Sequence, residues 1–258
     1  MYPELELSKT NRLKLAEVFR TLKQVDMSIP CMIEGQHGKV LVDSQNSPSA
    51  YALVIGPFWY FAGEASGASA RELAAEFPPY ALLMPSAPGW LETVQAVFGE
   101  RLTAFARYSF SSVDLSEEHL RGLLAQSKHR DAILPIDEKL ASHLASLSDS
   151  PFDLSDFDSA ADFAARAPGF ALLNGEKLIG LAYASLVCSQ GIEVSLFVDE
   201  PYRRQGAATA LAARLLLASL QRGLRPNWDA ANRESCGLAE KLGYRSVESY
   251  TSWYYRPA

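Results

Sequence analysis

Two arginines followed by small residues form a short loop between a predicted strand and a predicted helix. The segment Arg203–Ala208, Arg-Arg-Gln-Gly-Ala-Ala, follows the strand Ile192–Val198 and opens a helix that is predicted from about Gly206 to Leu220. The first N–H groups of a helix have no partner within it, and the helix dipole makes that end electropositive. One glycine and two alanines let a pyrophosphate come close enough to accept those N–H bonds. The loop therefore predicts a site for a diphosphate group.

Taken alone, the loop leaves a second interpretation open, namely an ordinary helix start with solvated arginines. The segment is not a P-loop, which needs the pattern GxxxxGK[ST], and its single glycine does not make the dinucleotide-binding pattern GxGxxG. Hydrogen bonds to a charged group each contribute about 1.5–3 kcal/mol, so several converging donors would make a strong phosphate site. A further motif is needed to decide between the two interpretations.

Two motifs of the chain together resemble those of a known superfamily. Arg203–Ala208 is similar to the [QR]xxGx[GA] signature of the GNAT superfamily of N-acetyltransferases, which binds the pyrophosphate of coenzyme A. Asn232–Tyr244 resembles the second motif of that superfamily, NxxSxxLxxKLG[FY]. A predicted helix and the predicted strand Leu224–Asp229 separate the two motifs, as the superfamily fold requires. The resemblance covers about residues 130–256 and implies an acyl-CoA-dependent N-acyltransferase.

The resemblance assigns cofactor-binding roles to the matched residues. In the superfamily the strand before the loop diverges from its neighbour, so Leu196, Phe197 and Val198 would line the pantetheine arm. The phosphates would be held by the main-chain amides of the loop, which are those of Arg203, Arg204, Gln205, Gly206, Ala207 and Ala208. Asn232 and Ser235 would lie near the thioester end of acetyl-CoA or its pantetheine. Asn232 also suits the N-cap of the following helix.

Acylation of an amine needs a group that removes a proton from the nitrogen, and Glu193 is the candidate catalytic base. It lies between Ile192 and Val194 in the strand that leads to the loop, where members of the superfamily often carry a carboxylate. An apolar environment would raise the pKa of this carboxyl, which suits a base that works near neutral pH. The alternative interpretation is a glutamate that faces solvent on an alternating strand.

One position departs from the superfamily pattern and keeps a second function open. Many relatives carry a tyrosine directly after the leucine that matches Leu238, whereas this chain has Ala239. Protonation of the leaving thiolate would then fall to another group or to water. Tyr244 and Tyr250 are interpreted as core residues, and Asp229 could attract an amine or cap the next helix.

Two functional hypotheses follow from these residues. The first is an N-acetyltransferase that moves acetyl directly from acetyl-CoA to a primary amine of a small molecule. Direct transfer is expected because no cysteine lies at a plausible nucleophile position. The second is a non-catalytic acyl-CoA-binding protein with the GNAT fold, which would act as a sensor or an interaction module.

Composition argues against several other classes of function. The formal net charge of -6 is unsuited to a broad surface for nucleic acid or anionic membrane. The three cysteines and four histidines show no metal-ligand spacing, so no metal site is predicted. No apolar stretch is long enough to span a bilayer, and the N-terminus lacks the pattern of a secretory signal. We therefore expect a cytoplasmic protein, monomeric or homodimeric, with a small-molecule amine as its partner.

The elements that must position these residues alternate between helices and strands along the chain. Residues 11–24 have helical apolar spacing, and a capping-box pattern at Ser69 and Glu72 predicts the start of another helix. Asn174-Gly175 between two apolar runs predicts a hairpin. The polar segment 111–130 is the expected boundary region between two domains.

The predicted fold class is α/β (α+β), with a GNAT-like mixed, mostly antiparallel central sheet flanked by helices. Residues 126–258 are predicted to form this acyl-CoA-binding acyltransferase domain. Residues 1–125 are predicted to form a smaller α/β domain of unknown role that precedes it. This layout is reminiscent of a bacterial GNAT subfamily with an extra N-terminal domain, and a degenerate second copy of the fold is one form that the domain could take.

Overall fold

The computed structural model describes residues 2–257, which fall into two compact units. The first unit comprises the residues up to Arg107 and those from Ser249 onward, and the second comprises Tyr108–Glu248. The predicted boundary after residue 125 lies elsewhere because the helix at 117–125 buries Leu120 and Leu124 in the core of the second unit. The end of the last strand also belongs to the first unit, so no single boundary along the chain separates the two units.

The described residues of the first unit form four α-helices and four complete strands, and they include parts of two further strands. Its β1, β2 and β3 are antiparallel neighbours, β3 and β4 are parallel, and the end of the last strand pairs antiparallel with β4 at Trp253 and Leu83. In chain order the elements are α1 (Lys9–Phe19), α2 (Ser28–Glu34), β1 (Lys39–Val42), β2 (Ala50–Ile55), β3 (Phe58–Gly63), α3 (Gly67–Ala75), β4 (Leu82–Leu83) and α4 (Trp90–Phe98), followed by the start of β5 (Leu102–Ser111).

The second unit has strand order β5-β10-β9-β8-β7-β6, and β9 with β10 is its parallel pair. Its other pairs are antiparallel. After the end of β5 the elements are α5 (Glu117–Ala125), β6 (Ile133–Pro135), α6 (Glu138–Ser146), α7 (Ala160–Arg166), β7 (Gly169–Asn174), β8 (Lys177–Cys188), β9 (Gly191–Val198), α8 (Ala207–Gln221), β10 (Arg225–Ala230), α9 (Arg233–Leu242) and the start of β11 (Arg245–Tyr255). The predicted mixed, mostly antiparallel sheet flanked by helices is therefore confirmed.

The two units share one succession of elements, which begins at α1 in the first unit and at α6 in the second, after α5 and β6. It consists of two helices, three antiparallel strands, a helix, a strand parallel to the third strand, and a further helix. In each unit a strand that begins in the other unit's part of the sequence pairs with the second member of the parallel pair. The end of β11 pairs with β4, and the end of β5 pairs with β10. The first unit thus shares this succession and this pattern of strand pairing with the second.

Local predictions had mixed outcomes. The Asn174-Gly175 hairpin is confirmed, because Asn174 pairs with Lys177 and Gly175 has φ of 61°. The helix predicted at 11–24 begins earlier, at Lys9, and ends at Phe19. The capping-box prediction at Ser69 is wrong. That helix begins at Gly67, where a φ of 91° bends the backbone, and the preceding serine hydroxyl donates to a glutamate instead of capping the helix.

Helix α8 begins within the loop Arg203–Ala208 and holds the C-terminal end of that loop in place. Leu211 and Leu215 belong to one apolar cluster, while Ala213 and Leu216 belong to another, so the helix is buried on more than one side. Burying a leucine side chain contributes about 1.5–3 kcal/mol to the free energy of folding, so these contacts hold the helix in place. At 15 residues α8 is too short to span a bilayer, and none of the other helices within residues 2–257 could do so.

Candidate active site

The loop that opens α8 is exposed, and several bonds hold its backbone in place. The Arg203 Nε donates to the Val198 carbonyl over 3.0 Å, which ties the loop to the end of β9. The Gln205 side chain donates to the Pro201 carbonyl over 3.1 Å, and a ring nitrogen of His129 lies 3.1 Å from the Gln205 carbonyl oxygen. These bonds give the loop a defined backbone conformation.

Gly206 occupies the N-cap position of α8 and leaves the first helical turn open. It has φ of 86°, and no side chain caps the helix. A Cβ added at Gly206 would meet no heavy atom within 4 Å, so space lies beside the first N–H groups. Arg204 also has a positive φ, of 62°, while Ala207 is buried beneath the turn and Ala208 is half-buried. The six predicted phosphate-binding residues therefore lie together around one uncapped helix start.

Strands β9 and β10 pair over only three residues and then diverge. The pairs are Gly191 with Arg225, Ile192 with Pro226, and Glu193 with Asn227. A Cβ at Gly191 would lie 2.0 Å from the Arg225 carbonyl oxygen, so glycine permits the close approach at this end.

Beyond Glu193, β9 continues to Val198 without a β10 partner among the described residues. Successive residues of a strand point their backbone groups to opposite edges. The Asp199 N–H donates to the Ile179 carbonyl of β8, so the backbone groups of Val194 and Leu196, which point the opposite way, face the opening. Leu196 and Phe197, both predicted to line the pantetheine arm, are half-buried there, whereas Val198 is nearly buried at 8% exposure. The Val198 carbonyl is the one that accepts from the Arg203 Nε of the loop. This divergence is the one that the resemblance implied.

Glu193 lies at the closed end of this opening. Its side chain is buried, with 7% exposure, so the interpretation as a solvent-facing glutamate is wrong. The Asn227 Nδ2 donates to its Oε2 over 2.9 Å. Burial raises the pKa of Tyr244 well above its usual value, and the charge of Glu193 raises it further. A carboxylate thus lies in the interior of the unit with a neutral amide and a neutral phenol near it.

A bulge in β8 lies beside the candidate base. Ala184 pairs with Val194 and Leu186 pairs with Glu193, so Ser185 is an extra residue in β8. The Ser185 hydroxyl donates to the Glu193 carbonyl over 3.4 Å. Bulges often occur next to active sites, where they re-aim a side chain.

Asn232 and Ser235 lie where β10 leads into α9, and both have structural partners. The Asn232 Oδ1 accepts from the Ser235 N–H over 2.9 Å, so the N-cap role predicted for Asn232 is observed. The Ser235 hydroxyl accepts from the Trp228 indole N–H over 3.1 Å. A contact of either residue with a cofactor remains a prediction.

An acidic segment that the sequence reasoning did not single out lies on the same face as Glu193. Ser195 follows Glu193 by two residues, so their side chains share a face of β9, and Tyr183 is the β8 partner of Ser195. The Tyr183 hydroxyl accepts from the Asp153 N–H over 3.3 Å. Burial raises the pKa of Asp156 to about 6, and the charge of Asp153 adds to the shift. The loop between α6 and α7 thus brings two carboxylates toward this face.

We expect Asp156→Asn to stabilise the protein at pH 8 but not at pH 4. The folded-state pKa of about 6 lies above the usual 3.8, so ionisation opposes folding. The contribution of this carboxyl to stability is complete below pH 4 and is lost as the pH rises through 6. Removing the charge should raise the free energy of unfolding by about 1 kcal/mol at pH 8, after discounting for solvent screening. Urea unfolding at both pH values measures this, and an equal effect at both would contradict the assignment.

A family model described as GNAT acetyltransferase matches residues 17–253 of the chain. The chain belongs to the GNAT acetyltransferase family. The match begins well before residue 130, where the resemblance of the motifs began, so most of the first unit is part of the family pattern. This agrees with the expected subfamily that carries additional N-terminal structure.

Individual relatives support the same assignment. The chain is 24% identical over 244 residues to the uncharacterized N-acetyltransferase YdfB of Bacillus subtilis (strain 168), covering 89% of this chain and 87% of that protein. The crystal structure of a GCN5-related N-acetyltransferase-like protein from Streptococcus suis 89/1591 has a TM-score of 0.82 and 26% identity, covering 96% of this chain and 100% of that one. A tandem GNAT protein from the clavulanic acid biosynthesis pathway shares the fold, with a TM-score of 0.53, 14% identity and coverage of 97% and 95%.

The described residues of the first unit leave no opening at the position that corresponds to the one between β9 and β10. There the segment 84–87 bonds to the backbone of β3. After β3 and β4 pair, the Met84 N–H donates to the Trp59 carbonyl and the Ala87 N–H donates to the Phe61 carbonyl, each over 2.9 Å. The Phe61 N–H donates to the Ser86 hydroxyl, also over 2.9 Å. The backbone edge that is open in the second unit is therefore occupied here.

The loop of the first unit also differs in charge. Glu64-Ala65-Ser66 precedes α3, where Arg203-Arg-Gln205 precedes α8 in the second unit. A carboxylate at a helix start does not favour a phosphate. The candidate site of this family member is therefore in the second unit.

The tyrosine position of the family motif is occupied by a core residue. Ala239 is fully buried in the cluster that includes α8 and α9. Tyr244 is also buried, and its hydroxyl donates to the Pro226 carbonyl over 3.2 Å, which confirms the interpretation of Tyr244 as a core residue. Tyr250 belongs to the first unit, where it accepts from the Arg107 Nε over 3.2 Å.

Proposed function

We propose that this GNAT family member is an N-acetyltransferase that transfers acetyl from acetyl-CoA to a primary amine of a small molecule. The carrying observation is the divergence of β9 from β10, which begins at buried Glu193 and leads toward the uncapped start of α8. A long cofactor with a diphosphate at one end and a reactive group at the other suits this arrangement. The family membership supports the same chemistry.

The residues present fit such a cofactor. The exposed loop Arg203–Ala208 offers main-chain N–H groups and open space at Gly206 for the diphosphate. The backbone of Val194–Phe197, which β10 does not pair, offers hydrogen-bonding groups to the amides of a pantetheine arm. When bound, acetyl-CoA would supply a thioester whose acyl carbon accepts the amine nitrogen.

The chain's own contribution is to remove a proton and to attract the amine. Glu193 takes the proton from the amine nitrogen, directly or through water, because a neutral amine is the nucleophile. Most amines carry a proton at neutral pH, and the carboxylates of Asp153 and Asp156 on the same face would favour a cationic acceptor. The net charge of -6 is also negative, so the protein as a whole attracts a cationic amine.

A specific observation also supports the second hypothesis, an acyl-CoA-binding protein without turnover. Ala239 is buried where relatives carry a tyrosine, and the Tyr244 hydroxyl is already engaged by the Pro226 carbonyl. An enzyme with this chain must return a proton to the leaving thiolate by another route, such as water. The presence of a buried carboxylate at Glu193 favours the enzyme.

Two measurements on the purified chain test the proposal. Coenzyme A and acetyl-CoA should raise the melting temperature, and calorimetric titration should give about one coenzyme A per chain, because the first unit has its backbone edge closed and an acidic loop. Acetyl-CoA with a panel of small primary amines should then release free thiol. Stabilisation without thiol release on any amine would favour the binding protein. No stabilisation by either compound would contradict both hypotheses.

A further inference from the structure

We propose that Asn227 is a positioning residue that orients the Glu193 carboxylate toward the amine. The inference rests on the proposed function, since it concerns how the candidate base of that reaction is held. Asn227 is part of neither GNAT motif, and its role emerges from the pairing of two strands that are distant in sequence.

Asn227 and Glu193 lie side by side at the place where β9 and β10 begin to diverge. Asn227 and Glu193 form the last pair of the β9–β10 ladder, so their side chains lie on the same face where the strands begin to diverge. The Asn227 Nδ2 donates to the Glu193 Oε2 over 2.9 Å. Glu193 is buried and Asn227 is half-buried, so this bond is shielded from bulk water. A shielded bond of this length fixes the orientation of the carboxylate plane.

The chemistry of an amide suits this task. An arginine or lysine would hold the carboxylate equally well, but its full charge would lower the pKa of the carboxyl and make it a poorer base. The asparagine N–H₂ donates without carrying a charge. Glu193 is thus held in one orientation by a group that places no charge beside it.

Tyr183 of β8 shares the face of Glu193, and the charges of Asp153 and Asp156 act on its hydroxyl. The β8 partner of Glu193 itself is Leu186, which has no charge. Tyr244 senses the charge of Glu193, and its own pKa is raised far above neutral, so it stays protonated through the working range. Asp229 lies two residues beyond Asn227 on the same face of β10. A new charge at position 227 should act most strongly on Glu193, because the side chains of the two residues are in direct contact.

The test is the pH profile of kcat/KM for Asn227→Asp and Asn227→Ala. In Asn227→Asp two carboxylates share one site, so the acidic limb of the profile should move upward by about one pH unit or more. In Asn227→Ala the orienting bond is lost, and kcat should fall about tenfold with little change in the affinity for coenzyme A. Asn174→Asp is the matched control, since it adds the same charge at the exposed β7–β8 turn and should leave the profile unchanged.

A second readout does not depend on turnover. The carboxyl 13C shift of Glu193, followed by NMR titration, should show a higher pKa in Asn227→Asp than in the natural chain. If no amine is acetylated but this pKa moves, the proposed function fails, and only the part of the inference that concerns the contact of Asn227 with the Glu193 carboxylate stands. If the pKa and the profile are both unmoved while stability falls, Asn227 is only a structural residue and the inference is overturned.

Discussion

Replacing Gly206 with glutamate should abolish the thermal stabilisation of the protein by coenzyme A. A side chain at this position projects into open space beside the first turn of α8, because a Cβ there meets no heavy atom within 4 Å. Glutamate would place bulk and a negative charge where a diphosphate would bind. Losing two hydrogen bonds to a charged group, at about 1.5–3 kcal/mol each, corresponds to an affinity loss of about 100-fold or more. Thermal shift and calorimetric titration with coenzyme A measure it.

Two control variants separate this effect from backbone strain. Gly223→Glu makes the same substitution beyond the opposite end of α8, at a glycine with φ of 72° and no neighbour within 4 Å of its Cβ. It should lower the melting temperature of the free protein and leave the coenzyme A shift intact. Gly206→Asn tolerates a positive φ without adding charge, so it should keep part of the affinity. An unchanged coenzyme A shift in Gly206→Glu would remove this loop from the cofactor site.

Replacing Glu193 with glutamine should reduce kcat by about 100-fold to 1,000-fold, within the usual contribution of a general base. The glutamine carbonyl can still accept the bond from the Asn227 Nδ2, so the ladder end keeps its geometry. Affinity for coenzyme A should change little, because the diphosphate loop is untouched. Initial rates of thiol release with a responsive amine, together with the coenzyme A thermal shift, check both parts.

The matched control for this variant is Glu176→Gln. Glu176 is exposed in the β7–β8 turn, so the substitution removes the same charge from the same unit at a place without a proposed role. It should leave turnover unchanged. If Glu193→Gln turns over as fast as the natural chain, Glu193 is not the base, whatever the loop binds.

The sequence by itself determined the features that depend on neighbouring residues. The loop Arg203–Ala208 and the motif Asn232–Tyr244 are continuous segments, and their order along the chain was sufficient to indicate the GNAT family that the comparisons show. The hairpin at Asn174 follows from local turn chemistry. The mixed sheet was expected from the resemblance that the two motifs carry. The motifs and the hairpin depend only on residues that are close together in the sequence.

Only the tertiary structure decided which strands meet and where they part. Asn227 and Glu193 are 34 residues apart, and an alternating strand pattern gives the face of a side chain but not its partner across the sheet. The same limit hid the Ser185 bulge and the return of β11 to the first unit. The closure of the first unit by Ser86 and Ala87 also depends on folded contacts. Strand register is set by the packing of distant segments, so a single sequence supplies the chemical groups while the fold alone determines which of them act together.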